Sequence, residues 1–157
     1  MTISSVEWTA ERAFVEHEHR ELVPGLNRIH DVACSVGSVP TPDLGRELRE
    51  VIGWVESVLR PHAAWEENWL YPELDERAGT PWATRLLQFE HQQIRAMTAR
   101  VAEDHAHLLE FGHGSSDAPA VRCHLFGLEA LLSAHVEREE RFLLPLLDEA
   151  HSRPADP

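Results

Sequence analysis

One pattern occurs twice in this chain, in segments whose apolar spacing is helical. Residues 62–74 read HAAWEENWLYPEL and residues 135–147 read HVEREERFLLPLL. In each copy a His is followed four residues later by a Glu pair, and then by an aromatic residue, a Leu and a Pro at matching positions. A shorter pattern recurs at nearly the same distance, as EHREL in 18–22 and EHQQI in 90–94. The sequence therefore predicts two similar halves, each with one His on its first helix and the motif HxxxE on its second.

Clusters of Pro and Gly divide the chain into four long segments, and these clusters lie at 34–42, 75–81 and 111–119. Within the segments apolar residues recur every three or four positions, which is typical of amphipathic helices, and no segment alternates with period two. The predicted helices run over about 9–33, 42–74, 81–110 and 118–150. Because short connections make neighbouring helices antiparallel, we predict an all-α fold, an up-down-up-down antiparallel four-helix bundle. The length suits a single domain over 1–157, with a core at about 9–150 and a short polar tail.

Four prolines lie inside or near the ends of these helices, at positions 24, 61, 72 and 145. A proline in a helix removes a hydrogen bond and crowds the preceding turn, so each is predicted to kink or end its helix. Pro72 and Pro145 each follow the His of the repeated pattern by ten residues. The sequence leaves open whether these prolines only follow the curvature of a bundle or also orient the nearby polar side chains.

Six ionisable side chains fall on the core-facing stripes of the predicted helices: His19, His62, Glu66, His91, His135 and Glu139. In each HxxxE motif the His and the Glu lie one turn apart on one helix face, with β-carbons roughly 5–6 Å apart. Burying six such groups without partners would be very costly, and a pair of cations compensates them directly. Imidazole and carboxylate together suit iron, manganese or zinc, and two carboxylates on facing helices can each bridge two metals. This set of ligands fits six-coordinate iron better than tetrahedral zinc.

The order H, HxxxE, H, HxxxE, with one motif on each of four helices, resembles the hemerythrin-like, HHE cation-binding family. The likeness covers the chain from His19 to about Leu147. It implies an up-and-down bundle that holds a non-haem di-iron centre, with two iron ions bridged by an oxygen species. Carried over to this sequence, it implies the ligands His19, His62, His91 and His135, with Glu66 and Glu139 as bridges. By the same analogy, His19 and His62 would bind one iron, and His91 and His135 the other.

Two differences from the oxygen-carrying hemerythrins bear on function. The carriers have a second His one turn after the His of the third helix, whereas this chain has Arg95 there. Their last helix has HxxxxD, whereas this chain has HxxxE. Both differences favour reaction over reversible oxygen carriage, and Arg95 is expected to bring a positive charge near the centre. We therefore expect a di-iron protein that reacts with dioxygen, hydrogen peroxide or nitric oxide, by catalase-like or oxidase-like turnover. The alternative is an iron- or oxygen/redox-sensing module that binds metal without turnover.

Charge and composition argue against several other classes of protein. The formal net charge of −13 disfavours nucleic acid or an anionic membrane surface as a partner. The first residues, MTISSVEWTAERAF, lack the basic and apolar regions of a signal peptide, and no apolar run is long enough to cross a bilayer. Cys34 and Cys123 lie in no CxxC motif, which is typical of reduced thiols, so we expect a cytoplasmic location. The electron donor and the oligomeric state stay open.

The remaining His, Glu and aromatic residues carry weaker predictions. Toward the far end of the bundle, a second metal or polar cluster is an alternative to ordinary hydrogen-bonded or partly exposed His, at His30, His105 and His124. Four further Glu are predicted to lie beside the core stripes, where they solvate a helix or hydrogen-bond a ligand: Glu18, Glu67, Glu90 and Glu140. The aromatic residues predicted in the core are Trp54, Trp65, Trp69, Tyr71, Phe89 and Phe142. Trp65 and Trp69 are adjacent to the HxxxE turn and could shield it from water.

Overall fold

A computed structural model describes residues 5–112 and 117–149, and nearly all of them are helical. The α-helical segments are α1 Ser5–Ser35, α2 Thr41–Trp54, α3 Arg60–Trp65, α4 Tyr71–Ala78, α5 Arg85–Phe111, α6 Ala118–Arg138 and α7 Leu144–Glu149. Three π-helical segments join some of them, and these are π1 Val55–Leu59, π2 Glu66–Leu70 and π3 Glu139–Leu143. End to end they make four rods: rod A is α1, rod B runs from α2 to α4, rod C is α5, and rod D runs from α6 to α7. The predicted all-α class is confirmed, with no strand in the described ranges.

The four rods pack as an antiparallel bundle. Rods A and C each pack against both B and D, through the pairs α1–α2, α1–α6, α2–α5 and α5–α6. Ser35 at the end of rod A donates a hydrogen bond to Glu47 near the start of rod B, whereas His19 lies beside Glu66 further along rod B. The two rods therefore run in opposite directions. No helix among the described residues is long and apolar enough to span a membrane.

The predicted start of the third helix at residue 81 is wrong by four residues. Gly79 ends rod B in the left-handed conformation with a φ of 67°. Asp75 then accepts hydrogen bonds from the backbone N–H and the hydroxyl of Thr84, at 2.9 and 3.1 Å. These bonds hold the intervening residues in a turn, so that the helix begins only at Arg85.

Two apolar clusters fill the bundle on either side of a polar layer. The larger cluster extends along all four rods and includes Ile29, Leu48 and Leu128, which are completely buried. The smaller cluster lies toward the other end and includes Leu74 and Leu147. Each fully buried aliphatic side chain contributes about 1.5–3 kcal/mol relative to exposure. The apolar clusters therefore provide the stability that allows a polar layer to be buried between them.

Three of the four prolines follow a π-helical segment at the same distance. Pro61, Pro72 and Pro145 each occupy the second residue of the α-helix that comes after π1, π2 or π3. The residue before each proline donates its N–H to the carbonyl five residues back, as Tyr71 does to Glu66. The widened turn relieves the clash that a proline ring makes with the preceding turn. None of the four prolines ends its rod, and α1 continues through Pro24, so of the two predicted effects, a kink or an end, only the kink stays a prediction.

Candidate metal centre

The polar layer consists of the six ionisable residues that the sequence placed on the core stripes. All six are at least 93% buried: His19, His62, Glu66, His91, His135 and Glu139. Each of the four rods contributes, because His19 lies on α1, His91 on α5 and the HxxxE motifs on rods B and D. Both Glu residues are the first residue of a π-helical segment, π2 or π3. The two halves of the repeat therefore present their carboxylates in the same local geometry.

The carboxylates of Glu66 and Glu139 face the inner nitrogens of the four histidines. Glu66 has Oε1 2.8 Å from His62 Nε2, and Oε2 3.2 Å from His91 Nε2. Glu139 has Oε2 3.2 Å from His19 Nε2 and Oε1 3.6 Å from His135 Nε2. The Nε2 atoms of His91 and His135 are themselves 2.9 Å apart. Every imidazole thus points one nitrogen into the same small volume.

The ligand atoms separate into two overlapping groups, in each of which all atoms lie within 4.8 Å of one another. One group is Glu66, His91, His135 and Glu139, and the other is His19, His62 and Glu66. Glu66 belongs to both groups, which is the position that a bridging carboxylate requires. The division of the histidines agrees with the pairing that the family resemblance implies.

Carboxylates outside the cluster bind the outer nitrogens of three of the four histidines. His91 Nδ1 is 2.8 Å from Glu67, His135 Nδ1 is 3.1 Å from Glu90, and His19 Nδ1 is 3.2 Å from Glu140. A carboxylate that accepts a hydrogen bond from Nδ1 leaves the lone pair of Nε2 directed inward, as metal ligation requires. The predicted role of Glu67, Glu90 and Glu140 in hydrogen-bonding a ligand side chain is therefore consistent with the geometry.

Two of these outer carboxylates are in turn paired with an arginine. Arg95 donates to Glu67 at 2.7 Å, and Arg138 lies 2.6 Å from Glu90. The expectation that Arg95 brings a positive charge near the centre is consistent with this geometry, and the charge is paired with Glu67 on a side chain that is 56% exposed. Burial raises the pKa of Glu67, the carboxylate that contacts His91 Nδ1, but the hydrogen bond from Arg95 lowers it.

Tyr71 is a part of the centre that the sequence argument placed in the core without a polar role. It is completely buried, it donates a hydrogen bond to Glu139, and its hydroxyl oxygen lies 3.2 Å from His91 Nε2. Burial and the charge of Glu139 hold the pKa of Tyr71 far above its ordinary value, so the hydroxyl keeps its proton. The sequence did hold a signal for this role. Tyr71 stands where the second copy of the repeat has the apolar Leu144, so the first copy has a hydroxyl group there that the second copy lacks.

The histidines and glutamates of the cluster shift one another's pKa values. Burial lowers the pKa of His19, but hydrogen bonds with Glu139 and Glu66 outweigh burial and raise it to about 10. Burial would raise the pKa of Glu66, yet the neighbouring imidazoles of His19, His62 and His91 hold it well below its usual range. His62 Nδ1 lacks a hydrogen-bond partner, and three further atoms lie 2.8 to 3.2 Å from a neighbour in the cluster without a well-aligned hydrogen bond: His62 Nε2, Glu66 Oε2 and Glu139 Oε2. Buried nitrogen and oxygen atoms of this kind can ligate a cation, which displaces protons from them as it binds.

The remaining histidines and most of the aromatic residues that the sequence singled out lie outside this centre. His30 pairs with Glu129 at 3.1 Å, His124 pairs with Asp104 at 2.7 Å, and His105 Nε2 has no hydrogen-bond partner, so the three histidines form no metal-binding group among the described residues. The predicted burial of three aromatic residues is wrong, because Trp69, Phe89 and Phe142 are more than half exposed. Trp69 therefore does not shield the centre, whereas Trp65 is partly buried against Phe14, with ring centroids 5.2 Å apart.

Comparison with known families agrees with this geometry. The model of the hemerythrin HHE cation binding domain matches residues 11–147. The chain belongs to the hemerythrin HHE cation-binding family. The match includes all six residues of the cluster, and the hemerythrin-like domain therefore contains a buried His/Glu cluster that could hold metal. Searches of curated proteins and of solved structures found no significant match.

Proposed function

We propose that the cluster binds two iron ions and that the iron pair reacts with a small oxidant or gas, namely dioxygen, hydrogen peroxide or nitric oxide. The observation that carries the proposal is the overlap of two groups of ligand atoms at Glu66. Nitrogen and carboxylate ligands without thiolate suit iron, and both cysteines of the chain are exposed rather than in the cluster. His19 and His62 would hold one ion, His91 and His135 the other, and Glu66 and Glu139 would bridge them.

The protein would contribute to this chemistry in three ways: it orients the imidazole ligands, it excludes bulk water, and it places the hydroxyl proton of Tyr71 beside the cluster. Iron, when bound, supplies electrons and Lewis acidity to a small molecule. Glu67, Glu90 and Glu140 fix the orientation of three imidazoles through their Nδ1 atoms. The apolar clusters on both sides exclude bulk water from the layer. The hydroxyl proton of Tyr71 lies beside Glu139 and His91, where it can be donated in a hydrogen bond to a molecule held at the centre.

The ligand set favours turnover over storage of a gas. A third His on one ion would leave the other ion alone to meet dioxygen, but position 95 holds an arginine that pairs with Glu67. The two halves of the repeat would then supply matching ligands, His19 with His62 and His91 with His135, and neither half would hold its ion with an additional imidazole. We infer that the reduced protein oxidises quickly in air and that the oxidised protein consumes hydrogen peroxide. The free, exposed thiols of Cys34 and Cys123 are in keeping with a cytoplasmic setting for this reaction.

Rapid mixing of the reduced, iron-loaded protein with dioxygen tests the proposal. We expect oxidation to a stable form in one phase, followed by peroxide consumption in proportion to the iron content. His62→Ala should abolish both reactions, whereas His17→Ala, on the exposed side of α1, should not. An oxygenated species that releases its gas under vacuum would instead identify a carrier, and iron binding without peroxide consumption would identify the sensing alternative.

A further inference from the structure

A thiol, an imidazole and a carboxylate contact one another in sequence at the surface between α1 and α6. Cys34 Sγ lies 3.6 Å from His30 Nε2, which is within hydrogen-bonding distance for sulfur. His30 Nδ1 lies 3.1 Å from each of the two carboxylate oxygens of Glu129. Cys34 and His30 are one turn apart on α1, whereas Glu129 belongs to α6, and none of the three is part of the His/Glu cluster. They stand in the order nucleophile, base and orienting carboxylate.

The carboxylate of Glu129 determines which nitrogen of His30 carries the proton. A carboxylate only accepts hydrogen bonds, so a neutral imidazole beside it donates from Nδ1. Nε2 then presents its lone pair to the thiol of Cys34, which can donate its proton there. The ring of His30 also makes an edge contact with Phe126, with ring centroids 5.7 Å apart. Two residues of α6 therefore orient His30 as a proton acceptor for the thiol.

These groups are accessible from solvent, and so is a second thiol that lacks such partners. Cys34 is exposed, and the side chains of His30 and Glu129 are 52% and 27% exposed. Cys123 is exposed too, but it makes no hydrogen bond with any residue that the structure describes. The chain therefore contains two exposed thiols, of which Cys34 has a proton acceptor and Cys123 serves as an internal reference.

The position of each cysteine in its helix gives Cys34 no advantage. Cys34 lies in the last turn of α1, where the partial negative charge of the helix end disfavours a thiolate. Arg122 offsets part of this charge by donating to the carbonyl of Val36, just beyond the helix. Cys123 lies in the first half of α6, nearer the positive end of its helix. A substitution of His30 leaves these helix and arginine charges unchanged, and so isolates the contribution of the imidazole.

We propose that Cys34 is a site of oxidation by hydrogen peroxide, with His30 as its base and Glu129 as the residue that positions His30. His30 Nε2 takes the proton of the thiol, and the thiolate sulfur attacks one oxygen of the peroxide. The S–O bond forms as the O–O bond breaks, and the imidazolium gives its proton to the departing hydroxide, which leaves as water. The sulfur is oxidised by two electrons to a sulfenic acid, and the peroxide is reduced. This reaction does not require the metal centre.

Competition between the two cysteines of one chain tests this proposal. The full-length protein is treated with hydrogen peroxide in the presence of dimedone, which traps sulfenic acids, and the labelled peptides are quantified by mass spectrometry. Any peroxide that the metal centre consumes lowers both signals alike. Cys34 should be labelled about tenfold or more faster than Cys123, because a positioned base accelerates proton transfer. Equal labelling of the two cysteines in the wild type would overturn the proposal.

Substitution of His30 separates its role as a base from simple exposure of the thiol. His30→Ala should lower the labelling rate of Cys34 to about that of Cys123. The matched control is His17→Ala, which removes an exposed imidazole from the same helix and should leave the rate unchanged. A rate for Cys34 that stays the same in His30→Ala would show that the imidazole does not activate the thiol.

Glu129→Gln tests the positioning role through the protonation of the ring. An amide can donate to Nδ1 of His30, which allows the proton to reside on Nε2 and removes the acceptor for the thiol. The nitrogen chemical shifts of the His30 ring should show a proton on Nδ1 in the wild type and a shift of that proton toward Nε2 in the variant. The labelling rate of Cys34 should fall with it. A proton that stays on Nδ1 in Glu129→Gln would refute the positioning role of Glu129.

Discussion

Glu67→Gln would measure how strongly an outer carboxylate controls metal binding. Glu67 contacts His91 Nδ1 at 2.8 Å and Arg95 at 2.7 Å, and its side chain is 33% exposed. Burial raises the pKa of Glu67, but the bonds with Arg95 and His91 outweigh it and hold the pKa below its ordinary value, so the group is charged at neutral pH. Gln keeps the shape and an oxygen acceptor but removes the charge that makes His91 more basic.

The expected loss of metal affinity follows from the contacts of Glu67 and from its burial. Loss of a carboxylate behind a metal-bound His typically weakens metal binding about 10–100-fold, or about 1.4–2.7 kcal/mol. Because Glu67 is partly solvated, we expect a loss near the lower limit. Glu90 has a side chain only 10% exposed and the equivalent contacts with His135 and Arg138, so Glu90→Gln should approach the upper limit.

Competition with a chelator, followed by elemental analysis, gives the affinities. The control is Glu137→Gln, which removes an exposed carboxylate that pairs only with Arg141 among the described partners. It should retain metal as the wild type does. Equal retention in all three variants would show that the outer carboxylates do not tune the centre, and a larger loss for Glu67→Gln than for Glu90→Gln would refute the ranking by burial.

Three further outcomes are expected. Tyr71→Phe should lower the free energy of unfolding of the metal-free protein by about 1.5–3 kcal/mol, because Glu139 loses a buried donor, and urea denaturation with an unchanged midpoint would contradict this. In the metal-free protein, burial disfavours protonated His19, but Glu139 and Glu66 stabilise it and raise its pKa to about 10. The interaction with these two carboxylates contributes fully to the stability of the fold below pH 6.5, and its contribution should disappear as the pH rises toward 10. Melting temperatures measured across that range should therefore fall in the metal-free protein and change less in the metal-bound protein, in which ligand binding adds stability by mass action; parallel curves would refute the assignment. His135→Ala should lose more metal than His107→Ala, whose side chain is 54% exposed, and equal loss would mean that the core-facing stripe was misplaced.

The sequence contained enough information to locate the cluster because two independent regularities agree there. Helical spacing identifies the buried face, and the repeat identifies which polar residues on that face are matched, as for His62 and His135. Neither regularity depends on side-chain conformation. The fold and the six buried residues could be predicted for that reason.

Features that depend on partners from other rods could not be predicted in this way. Glu18 and Glu90 are equivalent in the repeat, yet Glu90 is buried because Arg138 and His135 meet it, whereas Glu18 is partly exposed. The prolines were visible in the sequence, but whether a proline kinks a helix or widens one turn depends on the packing around it. Phe89 is exposed despite its size, since it lies off the stripe that faces the bundle.

The number and identity of the bound metal ions test the central claim most directly. Elemental analysis of the protein purified from iron-replete cells should find close to two iron ions per chain, because two groups of buried ligand atoms overlap at Glu66. One tightly bound zinc ion and no iron would contradict the account.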